Sequence, residues 1–213
     1  MEYFNFCSLS NKDLRELSEF VVTENFNHHE NDTDAEQFRA EVDDIYQEEK
    51  SFNNSKIFVS RDSDQKINGS IRVLKWNRTD VLPLEKLFSI NPQDIIKNKG
   101  TDIWHIGRFA IKKGIDKTGF GVFKTLMAYA LNEVCQNENS VAIAECDAKL
   151  LKVLKLMGIE AITLAKPIHY LGSETIAVLL TYNGLKRFLD KNCHLMSKPA
   201  SDLHQSVVLQ QIA

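Results

Sequence analysis

The sequence predicts one mixed domain of the α/β (α+β) class. Two observations lead there. Apolar residues switch repeatedly between a spacing of two and a spacing near 3.6, which a bundle or a sandwich would not show. A strongly apolar strand, DIWHIGRFAIKK, also runs through a glycine-bearing turn into the most regular helix of the chain, whose Phe123, Leu126, Met127, Ala130, Leu131 and Val134 recur at intervals of three and four.

The remaining elements follow from local pattern. YFNFCSL reads as an opening strand. Ser10 and Asp13 give a capping-box spacing ahead of a helix carrying Leu14, Leu17 and Val21, and Thr33 with Glu36 repeats it ahead of Phe38, Val42 and Ile45. Between these helices NFNHHENDTD reads as a polar loop. KIFVSRD and INGSIRVLKW flank the polar SDQK as a hairpin. From Asn77 to Gly100 turn signals alternate with short apolar clusters, VLPLEKLF and NPQDII, which predicts a long connection of the kind that often carries a binding loop, or a plain surface excursion. SVAIAEC is a further strand, AKLLKVLKLMG a helix stopped at Gly158, and ITLAKPIHYLG with ETIAVLLTY a final pair of strands. Residues 1–190 are expected to form the domain, and 191–213 a C-terminal tail without periodicity.

Composition narrows the function. With 43% hydrophobic and 26% charged residues, 213 residues suffice for one sizeable core. No run reaches the roughly 18 apolar residues of a membrane span, and no secretory signal pattern opens the chain, so a cytoplasmic protein is expected. The net charge of −3, from 26 basic and 29 acidic residues, lends nucleic-acid binding little electrostatic support. Cys7, Cys135, Cys146 and Cys193 lack CxxC spacing, and His28 and His29 lack companion ligands, so neither a disulfide framework nor a metal site is expected.

The chemistry concentrates between Trp104 and Val134. A turn feeding a helix N-terminus presents backbone N–H groups and the positive end of the helix dipole to an anion, and glycine removes the Cβ from its path. Gly119 and Gly121 stand at that point, with Lys112, Lys113, Lys117 and Lys124 around them and Asp116 opposing. A tight strand-to-helix turn would use the same glycines.

The order of elements, with this turn after the fourth long strand, resembles the GNAT superfamily of acyltransferases. The GNAT phosphate loop, Q/R-x-x-G-x-G/A, is matched by Asp116-Lys117-Thr118-Gly119-Phe120-Gly121 at both glycines and not at the first position. In the downstream N-x-x-A-x-x-L-Y-x-x-x-G-F pattern, Asp147 stands at the asparagine, Gly158-Ile159 at the Gly-Phe, and Leu154 where the family commonly has a general-acid tyrosine. Trp104-His105-Ile106-Gly107-Arg108-Phe109 resembles the W-E-x-S-R-F strand of the autoinducer synthases and N-acyl amino acid synthases. Arg72 matches that branch's third-strand arginine, and LPLEKLF is similar to its long connection.

The resemblance implies a GNAT-like mixed, mostly antiparallel twisted sheet of about seven strands with helices on both faces. It implies an N-acyltransferase using an acyl-phosphopantetheine donor, on acyl carrier protein in preference to acyl-CoA, with a small-molecule amine acceptor, an amino acid among the candidates, and no metal. An acetyl-CoA-dependent amine acetyltransferase and a non-catalytic acyl-thioester sensor are the alternatives. The main chain of Phe109, Ala110 and Ile111 would meet the pantetheine arm, and Lys117, Thr118, Gly119, Phe120, Gly121 and Val122 would hold the phosphate. His105, sixteen residues before Gly121, falls at the family's general-base position, and an imidazole with an ordinary pKa of about 6.5 suits that task at neutral pH. Regular alternation would put His105, Gly107 and Phe109 on one strand face and Arg108 on the other. Glu145 is a second candidate for the amine, Tyr170 a substitute acid, and Asp147 a helix cap. Each also reads as an ordinary strand or cap residue. Cys146 reads as a small buried hydrophobe rather than a nucleophile.

Overall fold

The computed structural model describes residues 4–29, 34–115, 120–170 and 173–196. The chain starts with β1 (Asn5–Ser8), a short 3-10 turn, and the helices α1 (Leu14–His29) and α2 (Ala35–Ser51). The hairpin β2 (Ser55–Arg61) and β3 (Ile67–Lys75) follows, then the connection with α3 (Pro83–Phe88) and α4 (Pro92–Ile95). β4 (Asp102–Ile111), α5 (Gly121–Val134), β5 (Ser140–Asp147) and α6 (Ala148–Leu156) form the central crossover. β6 (Ala161–Thr163), β7 (Ile168–Tyr170), β8 (Ser173–Thr181) and α7 (Tyr182–Asn192) close the described chain.

The strands form one eight-stranded sheet in the order β1-β2-β3-β4-β5-β8-β6, with β7 also on β8. Every pairing is antiparallel except β4 with β5. The eighth strand arises because ITLAKPIHYLG divides into β6 and β7. Pro167 lies between them and cannot donate to a ladder.

Alternation along the strands sorts the core into two layers. Ile57, Val59 and Ala110 pack beneath α1 and α2, while Leu74, Ile103, Ile143 and Ala177 pack beneath the α3–α4 connection. On the other face Ile71, Val73, Ile106, Ala144 and Val178 meet α5, α6 and α7. Helices therefore cover both faces.

Several local expectations change. Ser10 makes no capping hydrogen bond. The cap of α2 is Asp34, whose side chain accepts from the Glu36 N–H; Thr33 lies outside the described residues. The first half of NFNHHENDTD is the end of α1, and the side chains of His28 and His29 lie outside the described residues. The helix α7, buried through Leu185, Phe188 and Leu189, had no sequence expectation. Among the described residues no helix is long and apolar enough to cross a membrane, and no group of three or more potential metal ligands occurs.

Candidate active site

β4 and β5 run parallel from Asp102 opposite Ser140 to Ile106 opposite Ala144, and there their pairing ends. Beyond that point, Gly107, Ala110 and Ile111 of β4 stay paired with β3, and among the described residues β5 pairs with β4 no further. The strands separate, and a cavity of about 170 Å³ occupies the gap. Its lining comes from both faces of the sheet: Val21 and Asn25 of α1 on one side, Met127, Leu150 and Leu154 on the other, with Gly107, Phe109, Glu145 and Cys146 between.

A β-bulge sharpens the separation. Arg72 pairs with Gly107 and Ser70 with Ala110, so β4 holds one residue more than β3 over this stretch. Arg108 takes up the excess at a φ of 51°, and its carbonyl accepts the Ser70 hydroxyl at 2.7 Å. The extra residue overturns the expected alternation. Phe109 turns to the α5 face and meets Phe123 edge-on at a centroid distance of 5.0 Å, while Arg108 turns toward α2, on the same side as His105.

That side holds a buried polar cluster. Arg108 Nε donates to Glu49 Oε1 at 2.7 Å, a second guanidinium nitrogen reaches Glu48, and Arg72 Nε lies 3.4 Å from the same Glu49 oxygen. Burial lowers the Arg72 pKa against the opposing pull of Glu49, yet a guanidinium stays charged. Burial also opposes the charge of Arg108, but Glu49 and Glu48 outweigh it and raise the Arg108 pKa. The sequence marks Arg72 from its strand but not Glu48 or Glu49. A signal was present, since Glu49 shares the apolar spacing of Val42 and Ile45 on α2, where a carboxylate needs a buried partner.

From this cluster a chain of hydrogen bonds reaches the cavity. Arg72 Nη1 lies 2.9 Å from His105 Nδ1, and His105 Nε2 lies 2.8 Å from Glu145 Oε2. His105 is 1% exposed and Glu145, in the cavity wall, 10% at its side chain. Glu145 Oε1 is buried, with no hydrogen-bond partner among the described residues. His105 and Glu145, candidates from sequence, thus come together across the diverging strands.

Other candidates fall elsewhere. Tyr170, on β7, is not among the residues lining the cavity; burial raises its pKa, and the charges it senses are Arg108, Glu41, Glu48 and Asp44 near α2. Asp147 caps α6 by accepting the Leu150 N–H at 2.6 Å. Cys146 lines the cavity with its thiol pushed up to about 12, first by burial and then by Asp147 and Glu145. Phe120 stands at the N-cap of α5 in the left-handed region, ahead of Gly121 and Val122, and the first turn carries no acidic residue. Asp116, Lys117, Thr118 and Gly119 lie outside the described residues.

No family model matches the sequence, and no curated protein matches it. Solved structures do match. FeeM, an N-acyl amino acid synthase from uncultured soil microbes, superposes with a TM-score of 0.62 at 14% identity, over 88% of this chain and 95% of that one. The chain has a GNAT-like fold. BjaI, a CoA-dependent acyl-homoserine lactone synthase with SAM and isopentyl-CoA, matches this GNAT-like sheet with a TM-score of 0.57 at 14% identity, over 89% of each chain. A GNAT-family acetyltransferase from Staphylococcus aureus Mu50 matches at 0.54 and 12% identity, over 83% of this chain and 98% of that chain.

Proposed function

We propose that this protein is an N-acyltransferase, which moves an acyl group from a phosphopantetheine thioester to an amine. The observation that carries the reading is the opening between β4 and β5, a mostly apolar cavity with a buried carboxylate oxygen in its wall that has no partner among the described residues. The stretch of β4 beyond its last pairing with β5, with Phe109, Ala110 and Ile111, suits the amide-bearing pantetheine arm. The N-terminus of α5, with Gly121 and Val122, suits its phosphate; Lys117, Thr118 and Gly119 complete that loop in sequence. The acyl chain fits the apolar side at Met127, Leu150 and Leu154.

The chemistry balances without a metal or a covalent enzyme intermediate. The ammonium gives a proton to the His105–Glu145 pair, the neutral nitrogen attacks the thioester carbonyl carbon, the C–N bond forms, and as the C–S bond breaks the nitrogen's second proton passes to the leaving thiolate, giving the amide and a free thiol. An amino acid is the acceptor class favoured by the likeness to FeeM. A carrier-protein donor is favoured by Lys112 and Lys113, both exposed at the end of β4, where an acidic surface would meet them.

Thiol release measured from acyl-carrier thioesters and from acetyl-CoA, across a panel of amines, tests the reading. Turnover of acyl carriers, weakened in a salt-sensitive way by charge reversal at Lys112 and Lys113, is expected. Turnover of acetyl-CoA alone would make the protein an amine acetyltransferase, and tight donor binding without thiol release would make it a non-catalytic sensor.

A further inference from the structure

We infer that His105 is a positioning residue, which passes a hydrogen bond from Arg72 to Glu145 and so leaves Glu145 Oε1 as the atom that takes the proton of the incoming ammonium. The inference rests on the acyltransferase reading and divides the labour within its site.

A guanidinium has donors only, so His105 Nδ1, 2.9 Å from Arg72 Nη1, is the acceptor. The ring proton of the neutral imidazole then sits on Nε2 and is donated to Glu145 Oε2 at 2.8 Å. Both ring nitrogens are engaged, on a side chain that is 1% exposed. A proton arriving at Nδ1 would face the Arg72 charge, and Nε2 already carries one. The imidazole therefore offers the amine no lone pair.

Glu145 has what His105 lacks. Its Oε2 is fixed by the histidine, and its Oε1 is buried, without a hydrogen-bond partner among the described residues, on a residue lining the cavity. An ammonium in the gap is the cationic donor that this oxygen lacks. The proton moves from nitrogen to Oε1, and the neutral amine remains against the thioester. Arg72 faces the Glu49 carboxylate at 3.4 Å, and Glu49 is held by a hydrogen bond from Arg108 at the bulge, so the charges of the polar cluster back the orientation of Glu145.

Two measurements test this. The ¹⁵N spectrum of the imidazoles, with the His105 signals assigned by their loss in His105→Gln, reads the tautomer without any need for turnover. It should show Nδ1 unprotonated and Nε2 protonated; the opposite tautomer would overturn the relay. The second measurement is the rate of acyl transfer. Glutamine can accept from Arg72 through its oxygen and donate to Glu145 through its nitrogen but cannot carry the proton. His105→Gln should stay within about tenfold of wild-type kcat, whereas His105→Ala, which frees Glu145, should lose about 10²-fold in kcat with donor affinity unchanged, the scale of a misplaced catalytic group. Glu145→Gln should lose at least as much as His105→Ala. Equal losses in His105→Gln and His105→Ala would mean that the imidazole itself carries the proton. The predicted tautomer in a wild type that releases no thiol with any amine would sink the acyltransferase reading and leave the relay standing.

Discussion

Gly107 packs against Arg72 so closely that a β-carbon at position 107 would stand 3.2 Å from Arg72 Nη2 and 3.1 Å from His105 Cε1. The absence of a side chain thus lets the arginine and the imidazole share one side of β4 just ahead of the bulge. Those contacts are tighter than ordinary packing but leave room for a shift of a few tenths of an ångström. Gly107→Ala is expected to keep the fold while displacing His105, lowering kcat by at least about tenfold with donor affinity retained. Steady-state kinetics beside donor titration would separate the two effects, and an unchanged kcat would mean that the relay tolerates the shift.

Arg108 closes the polar cluster. Among the described residues its removal leaves the buried Glu49 with Arg72 alone, at 3.4 Å. Arg108→Leu should cost about 3–5 kcal/mol, as breaking one side of a buried pair does. The pH dependence carries a sign as well. Burial pushes the Glu48 carboxyl up, but Arg108 and Lys86 outweigh it and hold the group below its ordinary 4.5. A depressed folded-state value stabilises above pH 4.5 and is lost as the pH falls through the folded value. Denaturant midpoints between pH 3 and 7 should therefore fall on the acid side in the wild type and fall less steeply in Arg108→Leu.

At the N-terminus of α5 the exposed Phe120 caps the helix without a side-chain hydrogen bond, and Gly121 is the first helical residue. Gly121→Val puts a branched Cβ where a phosphate would approach the backbone. Affinity for a phosphopantetheine donor should drop by more than about tenfold while thermal unfolding stays close to wild type. An unchanged dissociation constant by calorimetry would move the phosphate elsewhere.

Thiol chemistry should follow burial. With Cys146 pushed up to about 12 and Cys135 to about 11, both chiefly by burial, neither is a thiolate near neutral pH. Cys193 is exposed. Alkylation of the folded protein at pH 8, followed by peptide mass spectrometry, should mark Cys193 and spare Cys146. Rapid labelling of Cys146 would contradict the packed environment described for β5.

The hairpin, the long fourth strand and α5 were legible in the sequence because each carries enough apolar residues at one period to declare itself. The helix α7 was not, since its buried apolar set within YNGLKRFLDKN is Leu185, Phe188 and Leu189, beside the buried Gly184 and Asn192. The bulge at Gly107–Arg108 was also hidden. It depends on a register shift against β3, and without it Phe109 and Arg108 are assigned to the wrong faces. The pairing of His105 with Glu145 joins residues 40 apart through a parallel ladder. Residue types nominated both, but only the fold brings them together and shows which oxygen is left open.

Leu154 offers a test of what the cavity accepts. It is buried in the cavity wall, at the place where the GNAT pattern carries a tyrosine, and it has no group to exchange a proton. Its contribution is therefore shape. Close-packed walls leave little slack, so deleting three side-chain carbons should admit about two or three further carbons of acyl chain. Leu154→Ala is expected to move the preferred donor toward longer chains and to cost about 2–5 kcal/mol of stability, since it removes a buried leucine from the cluster beneath α6. Leu154→Phe should move the preference the other way. A donor series of increasing chain length, run on wild type and both variants, measures the shift directly. If the optimum stays fixed in both while stability falls in Leu154→Ala, the acyl chain does not lie on this side of the sheet, and the gap between β4 and β5 must admit it from the side of Val21 and Asn25.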